Sequence, residues 1–376
     1  MIIVALKESM ANEKRVAITP EITKKYVELG YQIALESDAG KDAGYVNSAY
    51  EKCGASIEKD RQALLEKADI VLCAAPLDKK DIKSLKKDAL LIGLLKPHQN
   101  SDALPLLEKS KTTSFSLELL PRITRAQTMD VLSSQSNLAG YKAVVDAASE
   151  FGRAFPLMMT AAGTIPATRV LILGAGVAGL QAIATAKRLG AIVSAFDVRT
   201  AAKEQVQSLG ATFIEVEAEE SGDAGGGYAK EMSEAYKQAQ ADKLAEVVKN
   251  QDIIITTAQI PGKPAPILIT AAMVKSMKPG SVIIDLAAES GGNCADTVWG
   301  KTLVKNGVIV IGPANILSRI AGDASQLYSR NLFNFIKNLF SDDTHTINWQ
   351  DEIVTSTALT HGGKIIHPHF TTPEKA

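Results

Sequence analysis

Gly174, Gly176 and Gly179 stand at the spacing G-x-G-x-x-G, and an acid, Asp197, follows a short way on. The chemistry these residue types can do is recognition of a dinucleotide. Gly174 permits a tight turn out of a strand, Gly176 leaves room for a pyrophosphate to approach the backbone, and Gly179 allows a helix to pack closely on that strand. The first turn of the helix offers unpaired N–H groups and the positive end of its dipole to the phosphates. Asp197 is placed to accept hydrogen bonds from an adenine-ribose hydroxyl, which favours NAD over NADP because a carboxylate repels a 2′-phosphate. Arg199, two residues on, supplies a cation that tempers this preference.

A glycine triplet has meaning only between the right elements. Arg169 to Leu173 is a short apolar run suited to a buried strand, Leu180 to Leu189 reads as a helix, Gly190 ends it, and Ala191 to Asp197 is a second strand closed by the acid. Further strands are expected at Thr212–Val216, Ile253–Thr257, Val282–Leu286 and Val308–Ile311. Before this region, Ile2–Leu6, Ile33–Leu35, Ile70–Ala74, Leu90–Leu95 and Ser114–Leu117 read as strands with helical patterns between them, such as Ile22–Leu29 and Arg61–Lys67. Such alternation implies parallel sheets covered by helices on both faces. The expected architecture is α/β, with two doubly wound, Rossmann-like domains separated by a cleft. The first comprises residues 1–133 and 321–376 and is discontinuous, and the second comprises residues 134–320. Ser133 to Phe155 is a long Ala-rich helical stretch that can act as a hinge helix, and Leu317 to Phe340 is a helix returning to the first domain. The tail from Pro368 is polar and expected to be mobile.

A loop from Glu215 to Asp223 is crowded with acids and runs into Gly225-Gly226-Gly227-Tyr228. It follows the third strand of the nucleotide domain, so a glycine-hinged lid carrying Tyr228 and a plain surface insertion are both consistent with it. Composition narrows the class. With 46% hydrophobic and 22% charged residues and a formal net charge of −1, the chain has the make-up of a soluble globular protein with no general attraction to nucleic acid. Cys53, Cys73 and Cys294 lack metal-ligand spacing and suggest a reducing compartment. The N-terminus reads as a strand and not a signal peptide, and no apolar run approaches the length of a membrane span. His367 and His369 flank a proline, a pair more often unliganded than metal-bound. No metal site is expected.

Several stretches together resemble the NAD(H)-binding component, the alpha subunit or domain I, of proton-translocating NAD(P) transhydrogenase. They are Arg15 to Glu21, Pro121 to Asp130, Ser134 to Tyr141, Met158 to Thr164, Gly174 to Gly190, Gly225 to Met232, Ile260 to Pro266 and Ile284 to Gly292. The resemblance implies that NAD(H) is bound by this chain and NADP(H) by a separate component. Hydride passes between the two, and a membrane-spanning component couples the transfer to proton translocation. It also implies a homodimer docked to the NADP(H)-binding beta component, lying at the cytoplasmic face of a bacterial inner membrane without a span of its own. In the family, Arg122, Gln127, Asp130 and Ser133 hold the nicotinamide and its ribose, with Gln127 reaching toward the other nucleotide. Gly174, Gly176, Val177, Ala178, Gly179, Asp197, Val198, Arg199 and Ala258 would line the dinucleotide, and Tyr228 would sit on a loop that closes over it.

The residue types suit that chemistry. Hydride transfer between two nicotinamides needs no acid or base, only two rings held close with water excluded. Arg122 and Asp130 can pair, and Ser133 and Gln127 can hydrogen-bond a carboxamide or a ribose. The plainer alternative is a capped helix start with Asp130 at its N-terminus. Alanine dehydrogenase shares the Arg-Val-Ala-Ile-Thr-Pro signature, and its family has a catalytic Lys before a Pro and a His after the following strand. This chain has Cys73-Ala74-Ala75-Pro76 without the Lys, and His98 is displaced. Glu289 and Asp285 lie near that family's catalytic acid and read as capping or nucleotide-site polarity. An amino-acid dehydrogenase and an NAD(H)-sensing regulatory module are the competing readings.

Overall fold

The computed structural model describes residues 1–216, 222, 232–260, 262–340 and 345–371. Tyr228 and nearly all of the acidic, glycine-rich loop lie outside the described residues. The chain divides into two compact units, Met1–Gln135 with Leu317–Ala376, and Ser136–Ile316.

The first unit is built on an eight-stranded sheet. Its parallel portion runs Ser56–Glu58, Gln32–Glu36, Ile2–Ala5, Ile70–Cys73, Leu90–Gly93, Thr113–Ser116. In chain order this is 3-2-1-4-5-6, the doubly wound arrangement. The central strands are uninterrupted apolar runs because both faces are covered. Ile3, Ile70, Leu72 and Ile92 pack under one layer, and Val4, Val71 and Leu91 under the other. Helix Ala321–Leu339 covers the first face with Tyr328, Leu332, Phe335, Ile336 and Leu339, all buried. It is preceded by one 3₁₀ turn, Leu317–Ile320. Ala358–His361 adds an antiparallel strand on the far edge, followed by Lys364–Ile365.

The second unit carries a seven-stranded sheet in the order Thr212–Phe213, Ile192–Phe196, Arg169–Leu173, Ile253–Thr256, Val282–Asp285, Val308–Gly312, Lys301–Lys305, parallel except for the last. Its chain order is therefore 3-2-1-4-5-7-6. The order reverses between Arg169–Leu173 and Ile253–Thr256, and the carboxyl ends of those two strands face the crevice where such sheets bind ligands.

Several elements differ from expectation. The long helix spans Val131–Glu150 and stops before Phe155, since the chain bends at Phe151-Gly152-Arg153. The third strand of unit 2 pairs over only Thr212–Phe213. Short strands rich in Ser, Thr, Lys and Gly, namely Ser56–Glu58, Lys301–Lys305 and the exposed hairpin Met158–Thr160 with Gly163–Ile165, carry too little apolar pattern to be read in advance. The tail is ordered past Pro368. Phe370 N and Thr371 N donate to the His367 carbonyl (3.0 and 3.1 Å), and the Phe370 ring packs on His98 with centroids 4.9 Å apart. One aromatic is enough to hold a turn that its polar neighbours alone would leave loose.

Candidate functional site

In unit 2 the glycine loop leaves strand Arg169–Leu173 and enters helix Val177–Arg188. Gly174 has φ +97°, and a Cβ there would lie 2.6 Å from Thr257 Oγ1. Only glycine suits both the left-handed backbone and the crowding. Thr257 Oγ1 in turn donates to the Gly174 carbonyl (3.0 Å) and fixes the turn from the neighbouring strand. A Cβ on Gly179 would fall 1.8 Å from the Gly174 oxygen, which is how closely helix and loop pack. Gly140, on helix Val131–Glu150, meets the same helix from the other side, with its would-be Cβ 2.0 Å from the Ala178 carbonyl.

Gly176 is different. A Cβ there would meet nothing within 4 Å. It caps the helix without a side-chain bond, and the first backbone bond into the helix runs from Leu180 N to Gly176 O (2.8 Å). The N–H groups of Val177, Ala178 and Gly179 precede that bond, as in any helix start, and open onto the space beside Gly176. This pairing of unsatisfied donors with open space fits an anionic ligand, so the loop suits the pyrophosphate of a dinucleotide.

Asp197 closes strand Ile192–Phe196 from just beyond its end. Its Oδ2 accepts from Ala175 N (2.7 Å) and Arg199 Nη2 (2.7 Å), and its Oδ1 from Arg199 N (2.9 Å) and Arg199 Nε (2.8 Å). The acid thus ties the second strand to the glycine loop. Val198, between them, accepts from Gly222 N (2.8 Å).

Across the crevice Ala258 is held by a residue that sequence reasoning passed over. Asn293 Oδ1 accepts from Ala258 N (3.0 Å), and Asn293 Nδ2 donates to the carbonyls of Ala258 (2.9 Å) and Pro266 (2.8 Å). Asn293 is anchored by Asp285, a fully buried carboxylate that also accepts from Thr256 Oγ1, Ala287 N, Cys294 N and Thr297 Oγ1. With so many donors Asp285 is a structural hub. A signal was available: a strand ending in Asp, followed by Gly291-Gly292-Asn293, puts polar side chains where an apolar sheet meets its crevice.

The second group of candidates lies in unit 1, in the segment from Arg122 to Ser133. Thr124–Met129 forms a 3₁₀ helix. Ala126 and Met129 are buried in the core, while Arg122 and Gln127 are exposed. The segment is fastened from several directions. Asn331 and Asn334 each donate an Nδ2 to the Thr128 carbonyl (2.9 and 3.1 Å), and Arg125 makes a two-pronged pair with Asp351 (both 2.6 Å). Asp130 caps the helix that follows, accepting from Ser133 N (2.9 Å) and Ser133 Oγ. The capping alternative thus describes Asp130 well, and the same bonds fix Ser133. The whole forms a rigid platform that leaves the Gln127 amide to solvent.

Unit 1 has its own crevice, between Ile2–Ala5 and Ile70–Cys73, and there the alanine dehydrogenase signature can be tested. Arg15 is buried and its donors are spent. Nε and Nη2 go to Glu13 (2.8 and 2.6 Å), Nη1 to Gln135 Oε1 (3.0 Å), and Nη2 also approaches the Ala74 carbonyl (3.3 Å). Glu8 accepts from Ala74 N (2.6 Å) and Ala75 N (3.2 Å), and burial raises its pKa to about 8, with Glu13 adding to the rise against those two amides. No fork of Arg15 is left for a keto-acid carboxylate. Among the described residues there is no cluster of three His, Cys, Asp or Glu side chains fit to hold a metal, and no helix long and apolar enough to cross a membrane.

Known proteins match this arrangement along the whole chain. Residues 4–139 match the model of the alanine dehydrogenase/PNT N-terminal domain, and residues 143–368 that of the C-terminal domain. The chain is 50% identical over 374 residues to an NAD(P) transhydrogenase alpha subunit of Rhodospirillum rubrum, covering 97% of each. It is 28% identical over 325 residues to alanine dehydrogenase 1 of Staphylococcus aureus, covering 84% of this chain and 81% of that one. The crystal structure of a transhydrogenase from Sinorhizobium meliloti superimposes with a TM-score of 0.86 at 46% identity, covering 98% of this chain and 100% of the other. The chain therefore belongs to the alanine dehydrogenase/PNT family, where it resembles transhydrogenase alpha subunits far more than alanine dehydrogenases.

Proposed function

We propose that this chain is the NAD(H)-binding subunit of a proton-translocating transhydrogenase. The observation that carries the reading is the contrast at Gly176: a crowded glycine loop that opens, at one position only, onto free helix N–H groups. Gly174, Gly176, Val177, Ala178 and Gly179 hold the pyrophosphate, Asp197, Val198 and Arg199 the adenosine ribose, and Ala258 flanks the dinucleotide from the next strand. Arg122, Gln127, Asp130 and Ser133 orient the nicotinamide end, with Asp130 fixing Ser133 and the packed 3₁₀ turn holding Gln127 outward. Tyr228 belongs to the same proposal as a covering residue. The bound coenzyme supplies the hydride, and the chain supplies position and exclusion of water, the two things such a transfer needs.

The relatives' names, subunits of a larger enzyme, support a partner that binds NADP(H) and a membrane component that couples transfer to protons. A homodimer at the cytoplasmic face of the membrane completes the proposal. The saturated Arg15 and the absence of a Lys before Pro76 weigh against amino-acid oxidation. The test is transhydrogenation with an added NADP(H)-binding component, using a spectrally distinct NAD analogue. Turnover with that component, and no NADH from alanine plus NAD⁺, is the expected result. NADH binding without turnover would mark a sensing module, and alanine-dependent reduction an amino-acid dehydrogenase.

A further inference from the structure

Asp197 has no acceptor position to spare. A carboxylate offers about four lone-pair sites. Here two are used by Arg199 side-chain donors, one by Arg199 N and one by Ala175 N, at 2.7–2.9 Å. The pair is well shielded, with side-chain exposures of 7% for Asp197 and 20% for Arg199. A ribose diol that is to donate to this acid must first displace a donor. The two backbone donors are built in. Ala175 belongs to the glycine loop, and the Val198 backbone is pinned by Gly222 N, where a Cβ would come within 2.7–3.0 Å of Val198 atoms. The guanidinium is the donor that can leave by side-chain rotation alone.

We propose that Arg199 is a latch on the ribose subsite and thereby a determinant of coenzyme preference. The inference rests on the proposed NAD(H) site in unit 2. With the latch closed, Asp197 is neutralised. A ribose diol opens it by taking over the two side-chain bonds. A 2′-phosphate opens it only to face the bare carboxylate, so Asp197 rejects NADP(H) even though a cation that could pair with the phosphate stands beside it. Each member of the pair therefore masks the other. Removing Arg199 uncovers an acid that prefers NAD(H), and removing Asp197 releases a cation that prefers NADP(H).

The experiment measures NADH and NADPH dissociation constants by coenzyme fluorescence and calorimetry on the whole chain. The variants are Arg199→Ala, Arg199→Lys, Asp197→Ala and the double variant. Arg199→Ala should bind NADH tighter, by on the order of tenfold, the equivalent of losing one charge-assisted competitor. It should also discriminate more strongly against NADPH. Arg199→Lys, with a single head group, should fall between it and the wild type. Asp197→Ala should lose NADH affinity and gain NADPH affinity, and the gain should vanish in the double variant. NADH binding unchanged or weakened in Arg199→Ala and Arg199→Lys would overturn the latch, as would an Asp197→Ala chain that gains nothing toward NADPH. A wild-type chain that binds no NADH would instead remove the proposed site itself, and the latch with it.

Discussion

The two units share one sheet order through their first five strands but differ at the place where that order invites a ligand. In unit 2 the crevice is lined by glycines and left open beside Gly176. In unit 1 the protein's own side chains fill the equivalent place. Glu8 sits on the amides of Ala74 and Ala75, Arg15 and Glu13 lock together beside it, and Tyr328 OH donates to the Cys73 carbonyl (2.6 Å) while accepting from Leu94 N (3.1 Å). Glu118 repeats the device one strand over, accepting from Leu95 N (3.3 Å) and Lys96 N (2.8 Å). Architecture supplies a crevice in both units, and the residues at the strand ends decide whether it binds something or is closed from within.

The largest way to break this comparison is Arg15→Ala. Removing one partner of a buried pair strands Glu13 and should cost about 3–5 kcal/mol of stability. If unit 1 is plugged, urea unfolding will show that loss while NADH affinity, measured on chain still folded at low temperature, stays near wild type. A stable variant with crippled NADH binding would reverse the roles of the two crevices. Next in size is a pair of glycine changes. Gly179→Ala forces a methyl against the Gly174 carbonyl and should cost about 1–3 kcal/mol and abolish NADH binding. Gly176→Ala puts its methyl into open space and should leave the melting temperature nearly unchanged while still weakening NADH. Equal effects on stability would mean the loop is not open where the binding reading needs it.

How much of this could be read from the chain follows from the kind of signal each feature leaves. Buried parallel strands announce themselves as apolar runs, so Ile2–Ala5, Ile70–Cys73, Arg169–Leu173 and Ile253–Thr256 were legible to within a residue or two. Edge strands such as Lys301–Lys305 are half solvent-facing and show no such pattern. In the site, Gly174, Gly179 and Asp197 were legible because backbone conformation and close packing restrict residue type so strongly. The saturation of Asp197 by Arg199 was not, since a pair two residues apart reads equally as two solvated charges. Asn293 was hidden for another reason. It acts on Ala258 across the sheet, far away in sequence, and an isolated Asn carries no periodicity.

A smaller effect separates the crevices by pH. Glu8 has its pKa raised from an ordinary 4.5 to about 8, first by burial and then by Glu13. Between those values the folded chain keeps a proton that the unfolded chain has lost. The stability this provides is complete below about 4.5 and disappears as pH rises through about 8. The slope is at most about 1.4 kcal/mol per pH unit for one proton. Glu8→Gln should flatten that part of the profile when urea midpoints are compared at pH 6 and 9. An unchanged slope would mean Glu8 is solvated and the unit 1 crevice is open.

The smallest effect concerns the platform that carries Gln127, where a carboxylate is shifted the opposite way. Asp351 has its pKa lowered from 3.8 to about 2, chiefly by hydrogen bonds from Arg125, helped by Ile353 N and Asn338. Its contribution is present above about 3.8 and is lost as pH falls toward about 2. Arg125 is itself more than half exposed, so salt screens the pair. Arg125→Ala should therefore leave stability at pH 7 little changed, yet make the chain less sensitive to acid than wild type between pH 4 and 2, with the two profiles meeting near the lower limit. The Thr128 carbonyl would still be held by Asn331 and Asn334. Hydride transfer should accordingly fall only slightly, with NADH affinity unchanged. A large loss of turnover would mean that the ion pair, and not the packing of Ala126 and Met129, is what keeps Gln127 in place.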